Sequence, residues 1–306
     1  MRRCTALGVL LLLVGAACGG AEAPRVPDRP PSRTDDAVVV ASFDFPESEI
    51  LGELYAQALE GAAVPVKREL LLGPRELVEP GLEQGLVDVV PEYLGSALAY
   101  LGGEPPDPAT EEATRERLAA AFAPLDVRLL DPAPAKDQNS LVVTEGTALV
   151  YDLRTTSDLA DVAPAFQFGG PPECPDRLFC LAGLERVYDL HFGRFVPLDS
   201  GGPLTVAGLR DQSIDVGVLF STDPHLVGPE FVELQDDRGL QPSENVVPAV
   251  RASVLERWGD ELRRPLDAVS AALTTEDLRE LNAQVVLHGD TPRQAARTWL
   301  AQLAAA

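Results

Sequence analysis

A chain of 306 residues with 48 acidic against 25 basic side chains carries a formal charge of −23. That balance excludes a nucleic-acid binder, which needs basic patches, and fits a solvated acidic surface. Four cysteines and three histidines, the histidines in no ligand-like spacing, give no basis for a metal centre, and no cofactor is expected.

The N-terminus reads as an export signal. Met1-Arg2-Arg3 is a basic head, residues 7–14 are apolar, and Gly15-Ala16-Ala17-Cys18 supplies small residues at a cleavage point. The apolar stretch is too short to span a bilayer as a mature helix. Ending on Ala-Ala-Cys, with Gly15 where such signals favour leucine, residues 1–18 resemble a bacterial lipoprotein signal. The resemblance implies lipidation of Cys18 and a protein anchored by lipid to the outer face of the cell membrane; ordinary cleavage with an incidental Cys18 is the alternative. Residues 19–36, rich in Pro, Arg and Asp, read as a disordered tether. Cys174 and Cys180, in ECPDRLFC, are best read as a disulfide in an oxidising compartment.

The roughly 270 residues that remain suit two lobes better than one core. AVVVAS, at 37–42, is a buried-strand run. Pro46 and the acids beside it open a helix that Gly61 ends. A strand over 64–71, a helix over 74–84 and a strand over 87–90 follow, then a helix from Asp107-Pro108 to Phe122 and a strand over 127–130. This is repeated β-α-β, which predicts an α/β fold whose mainly parallel sheets are flanked by helices. A second series begins with a strand over 140–144. Helices are expected over 149–159 and 175–189, and strands over 165–168, 195–198, 214–220 and 231–234. A short strand over 246–250 leads into a helical tail, where Trp258 and Trp299 read as core anchors. The expected division is lobe 1 over 37–140 and 239–306, and lobe 2 over 141–238, with hinges near 139–141 and 234–240.

One segment echoes another. QGLVDVV leads into Pro91-Glu92-Tyr93, and QSIDVGV leads into Leu219-Phe220-Ser221-Thr222-Asp223. Each is a helix end, a short apolar strand with one aspartate, and an aromatic at the strand's C-terminal end, where open α/β sheets bind ligands. Two such ends, one per lobe, define a cleft.

With ASFDFPESEILGELYAQALE (41–60), GLVDVVPEYLGSAL (85–98), DQNSLVVT (137–144) and the 185–238 stretch, the chain resembles the substrate-binding proteins of ABC importers for glycine betaine, choline, carnitine and related osmoprotectants. The resemblance implies a two-lobed periplasmic-binding-protein fold with two hinge strands and a cage of aromatic rings for a quaternary ammonium. Such a cation has no N–H to donate, and ring faces select it through cation–π attraction. By motif position Tyr93 and Phe220 are the rings, Phe43 and Tyr188 further candidates, and Ser96 and Asn139 partners for a ligand carboxylate. Phe43 stands where some relatives carry a carboxylate-binding glutamine, and 133–136 lacks an aromatic that others supply. The implied partners are a small quaternary ammonium or betaine and the permease subunits, with the protein a monomer.

No nucleophile elbow, metal-binding histidine pair, P-loop or dinucleotide fingerprint points to an enzyme. Another small zwitterion such as ergothioneine or proline, or a non-transport sensor or enzyme on the same fold, is the alternative.

Overall fold

The structure is a computed structural model that describes residues 37–105 and 110–305. The expected signal, the tether, Cys18 and the Asp107-Pro108 helix start lie outside the described residues. The chain forms two five-stranded sheets flanked by helices.

Lobe 1 opens with β1 (Val38–Phe43), α1 (Pro46–Gly61), β2 (Val66–Gly73), α2 (Arg75–Gln84), β3 (Val89–Tyr93), α3 (Leu94–Tyr100), α4 (Glu111–Phe122) and β4 (Val127–Leu129). Lobe 2 contains β5 (Asn139–Thr144), α5 (Glu145–Tyr151), β6 (Gln167–Gly170), α6 (Leu181–Gly183), β7 (Arg194–Pro197), α7 (Pro203–Arg210), β8 (Val216–Phe220) and β9 (Phe231–Leu234). The chain then returns with β10 (Val246–Arg251), α8 (Ala252–Trp258), α9 (Asp260–Ala272), α10 (Thr275–Val286) and α11 (Pro292–Ala305).

The sheet orders are β2-β1-β3-β10-β4 and β7-β6-β8-β5-β9. Three neighbours in each run parallel, and the fourth strand is antiparallel to both its partners. Four strands of each sheet therefore point the same way, and only β10 and β5 are reversed. The reason is topological: these are the strands on which the chain arrives from the other lobe. Ligand-facing ends of such sheets are the C-terminal ends of the parallel strands, so a chain crossing at that edge enters against their direction. The two crossovers pair with each other through a bridge between Lys136 and Asn245, and the Asp137 amide donates to the Glu244 carbonyl at 3.1 Å.

Buried strands read as continuous apolar runs, and all six residues of β1 are buried. In β5 the period-two rule divides the core: Leu141 and Val143 pack on one face of the sheet and Val142 on the other. The sequence echo has a structural meaning. Asp88 exchanges hydrogen bonds with Val39, its carboxylate accepting from the amide at 2.9 Å, and so fixes β3 beside β1. Asp215 does the same to Gln167 at 2.7 Å and fixes β8 beside β6.

Two expected helices differ. In place of one helix over 149–159, α5 stops where Asp152 turns left-handed at φ 50°, and a separate short turn, Thr156–Leu159, starts at a Thr155–Asp158 capping box. Over 175–189 the helix begins only at Leu181, where α6 runs on into a π-helical turn, Leu184–Tyr188; the residues before it form the loop closed by the Cys174–Cys180 disulfide, and Gly183 passes so close to Leu178 that a Cβ would lie 1.8 Å from its carbonyl oxygen. At α4, Thr110 caps the helix by accepting from the Ala113 amide. Trp258 and Trp299 pack partly buried against the lobe 1 core. The Trp299 indole donates to Asp277 at 3.0 Å, whereas the buried Trp258 nitrogen has no hydrogen-bond partner among the described residues. No described helix is long and apolar enough to cross a membrane.

Candidate functional site

The ends of β1, β3 and β8 meet at a cleft of about 380 Å³ between the lobes. Phe45, Arg75, Tyr93 and Ser96 line it from lobe 1, and Asn139, Arg177, Phe179 and Phe220 from lobe 2. β1 meets β2 through an irregularity between Ala41 and Phe43, and Phe43 pairs with Gly73. Bulges of this kind re-aim side chains near sites, and here Phe45, the last residue before Pro46 opens α1, faces the cleft.

Phe45 is the central ring. Its centroid lies 5.0 Å from Phe220, 6.2 Å from Tyr93 and 6.1 Å from Phe43. Tyr93 and Phe220 both line the cleft, with Phe45 between them. Two residues expected at the site stand elsewhere. Phe43 is buried behind Phe45, 2 % exposed, with the Arg75 guanidinium 4.9 Å over its ring. Tyr188 does not line the cleft: its ring lies under Arg238, and its hydroxyl donates to Asp236 and accepts from the Arg238 amide. Both rings are spent on internal partners. Asn139 lines the cleft, and its amide donates to the Phe179 carbonyl at 3.0 Å. Ser96 also lines it, but its hydroxyl donates to Glu244 at 2.6 Å.

Carboxylates that no local sequence motif marks organise the floor. Glu47, on α1, accepts from the Tyr93 hydroxyl at 2.8 Å, from Thr222 at 2.5 Å and from Asn282 at 2.7 Å. Thr222 follows β8, so this buried group ties lobe 2 to α1 and α10 of lobe 1. Asp137 lies beside Glu47 and accepts from the Thr222 amide and the Ser221 hydroxyl at 3.2 Å each. Burial pushes both carboxyls up, and the Glu47 charge pushes Asp137 further.

A second carboxyl group, Glu244 on the return crossover, reaches α3. It accepts from the Gly95 and Ser96 amides at 3.1 Å each as well as from the Ser96 hydroxyl. Burial pushes it up to about 7, against the opposing pull of Ser96 and Arg75. Gly95 is required for this approach, since a Cβ there would lie 2.2 Å from Pro242. Arg75 sits bidentate on Glu92, both bonds 2.9 Å. At the lip, Arg177, from the disulfide-closed loop, reaches across to Glu76 at 2.9 Å.

The Glu47–Asp137 pair makes stability depend on pH. Groups held above their ordinary carboxyl values bind more protons folded than unfolded, so stability falls as pH rises from the ordinary carboxylate range through the raised values. Asp137→Asn keeps an acceptor for Ser221 and Thr222 and presents a permanent donor to Glu47. Thermal melts from pH 5 to pH 9 should show a shallower decline for the variant. Parallel curves for the two proteins would sink the assignment of this pH dependence to the pair.

The sequence matches the family described as the substrate binding domain of ABC-type glycine betaine transport systems (OpuAC) over residues 36–302. It is 26 % identical over 283 residues to the glycine betaine-binding protein YehZ of Escherichia coli (strain K12), covering 89 % of this chain and 92 % of that one. It is 28 % identical over 276 residues to a glycine-betaine-binding protein of Pseudomonas aeruginosa, covering 84 % of each. To the ergothioneine transport permease/ergothioneine binding protein EgtU of Helicobacter pylori (strain G27) it is 26 % identical over 268 residues; these cover 87 % of this chain but 47 % of that protein, so the chain spans about half its length. Among solved structures, the fold is shared with a glycine betaine/carnitine/choline ABC transporter protein (TM-score 0.68, 21 % identity, 87 % of this chain and 98 % of that one). It is also shared with lactococcal OpuAC in its closed form with glycine betaine (TM-score 0.64, 19 % identity, 88 % and 96 %).

Proposed function

Since the chain belongs to the family of substrate binding domains of ABC-type glycine betaine transport systems, we propose that it captures a quaternary ammonium or betaine-type solute in the cleft and hands it to the permease of an ABC importer. The observation that carries this reading is the set of rings from both lobes at one cleft, Phe45 and Tyr93 from lobe 1 and Phe220 from lobe 2. A cation lacking N–H donors is attracted by ring faces and by apolar contact with its methyls. Likeness to the Helicobacter protein favours a second reading, a betaine with a larger flat head such as ergothioneine. In either case the chain binds without turning over its ligand.

A thermal-shift panel of glycine betaine, choline, carnitine, proline and ergothioneine tests the proposal. A ligand at a hundred times its dissociation constant stabilises the folded state by about 2.7 kcal/mol. The absence of any shift across the quaternary ammonium compounds at millimolar concentration would overturn it.

The mature protein, on this reading, stands outside the cytoplasmic membrane on a tether lipidated at Cys18. Loss of membrane association in Cys18→Ala is the expected result, and unchanged association would exclude the anchor. The lobes, divided near 140 and 238, would close by hinges near 139–141 and 234–240, next to the crossover segments joined at Lys136 and Asn245.

A further inference from the structure

Which quaternary ammonium the cleft accepts depends on its charges, and the donors a ligand carboxylate would use are partly or wholly engaged by internal acceptors. Arg75 gives its Nε and one Nη to Glu92. Arg177 is tied to Glu76 at 2.9 Å and Glu173 at 3.1 Å. The Asn139 amide donates to Phe179. The Ser96 hydroxyl and the Gly95 and Ser96 amides all converge on Glu244, which is 3 % exposed and lines the cleft from 149 residues further along the chain.

We propose that Glu244 is the specificity-determining residue of the cleft: it fills the place a ligand carboxylate would take at Ser96 and turns the site toward a monocation, a quaternary ammonium that carries no carboxylate. The inference rests on the quaternary-ammonium reading given above. A zwitterion would have to displace Glu244 from its three donors or set its own carboxylate against a like charge in a poorly solvated site. The ammonium of a monocation is attracted by that same charge.

The proposal implies a pH dependence. Glu244 is faced by Ser96 from α3, Arg75 from α2 and Glu92 from β3, and its carboxyl lies at about 7. Asp137, on the adjoining crossover, and Glu79, beside Glu92, are both pushed up by burial and by a neighbouring carboxylate. Cation binding favours the ionised form of Glu244, so affinity should rise by up to about tenfold from pH 6 to pH 8, as that carboxyl passes from mostly protonated to mostly ionised.

The test is calorimetric titration of the exported protein and of its Glu244→Gln variant with choline and with glycine betaine, at pH 6 and pH 8. The two probes share a trimethylammonium head and differ in the carboxylate. At pH 8 the wild type should bind choline at least tenfold more tightly than glycine betaine, and the margin should narrow at pH 6. Glu244→Gln should weaken choline binding about tenfold, abolish its pH dependence and narrow the ratio. Glycine betaine binding as tightly as choline to the wild type overturns the proposal while leaving the quaternary-ammonium reading intact, as does a variant with the wild-type ratio and pH slope. Binding of neither probe sinks the quaternary-ammonium reading and this inference with it. Should Glu244→Gln fail to fold, the wild-type ratio and its pH slope decide alone, and a ratio near one or a flat profile overturns the proposal.

Discussion

Phe45→Ala should weaken binding of a trimethylammonium ligand tenfold or more and leave the protein folded. Phe45 is half-buried at the junction of β1 and α1 and reaches Phe220 across the cleft. A cation over a ring face gains on the order of 0.5–2 kcal/mol, more when desolvated. Truncation also removes apolar area worth about 25 cal/mol per Å². At about 1.4 kcal/mol per decade, the two together account for at least one decade in dissociation constant. Because the ring borders the cleft, the cavity left behind opens to water, and the melting temperature should shift only slightly. Calorimetry on the folded variant decides: wild-type affinity would remove Phe45 from the site.

Tyr93 should respond differently, because it serves two structures at once. Its ring lines the cleft, yet it is only 5 % exposed, and its hydroxyl is one of three donors to the buried Glu47. Truncating a buried aromatic to alanine costs about 3–5 kcal/mol. At about 2–4 °C per kcal/mol for a domain of this size, Tyr93→Ala should lower the melting temperature by roughly 10 °C while also weakening the ligand. Tyr93→Phe keeps the ring face but strips a hydrogen bond from a buried acid, at about 1.5–3 kcal/mol. It should therefore lose stability with little loss of affinity. The contrast is measurable: Phe45→Ala acts on binding, Tyr93→Phe on stability, Tyr93→Ala on both. A Tyr93→Phe protein as stable as the wild type would show that the Glu47 contact contributes nothing.

The alternation of buried strands and helices was legible because continuous apolar runs bounded by Pro, Gly and acidic first turns are local signals, as in AVVVAS before Pro46. The echo was legible for the same reason: each aspartate lies inside a short strand, and the contact it makes recurs in both lobes. Phe45 was within reach of the rule that singled out Tyr93, since it follows a strand end and precedes the proline that opens α1. The carboxylates were out of reach. Glu47 and Thr222 are 175 residues apart, and Glu244 and Ser96 are 148 apart, so nothing local distinguishes them from the other acids of a chain with 48. Tyr188 misled because an aromatic near a motif carries no sign of what it stacks on, which here is Arg238, an arginine fifty residues later. The helix expected over 149–159 broke at a left-handed Asp152, and the one expected over 175–189 starts only at Leu181, past the disulfide, constraints that side-chain periodicity does not register.

The reversed strand β10 has a consequence for the order in which the lobes can be completed. All five strands of lobe 2 lie in one uninterrupted stretch, from Asn139 to Leu234, so that sheet has every partner before the last quarter of the chain exists. Lobe 1 does not. β10 is inserted between β3 and β4, and without it β4 has no neighbour and β3 presents an unpaired edge. Until residues 246–251 emerge, the first lobe is a three-stranded fragment with an adhesive edge, the kind of surface that invites pairing with other chains. A polypeptide made from its N-terminus thus has the strands of its middle lobe complete first, and a truncation between β9 and β10 keeps every strand of lobe 2 while leaving lobe 1 open along its middle.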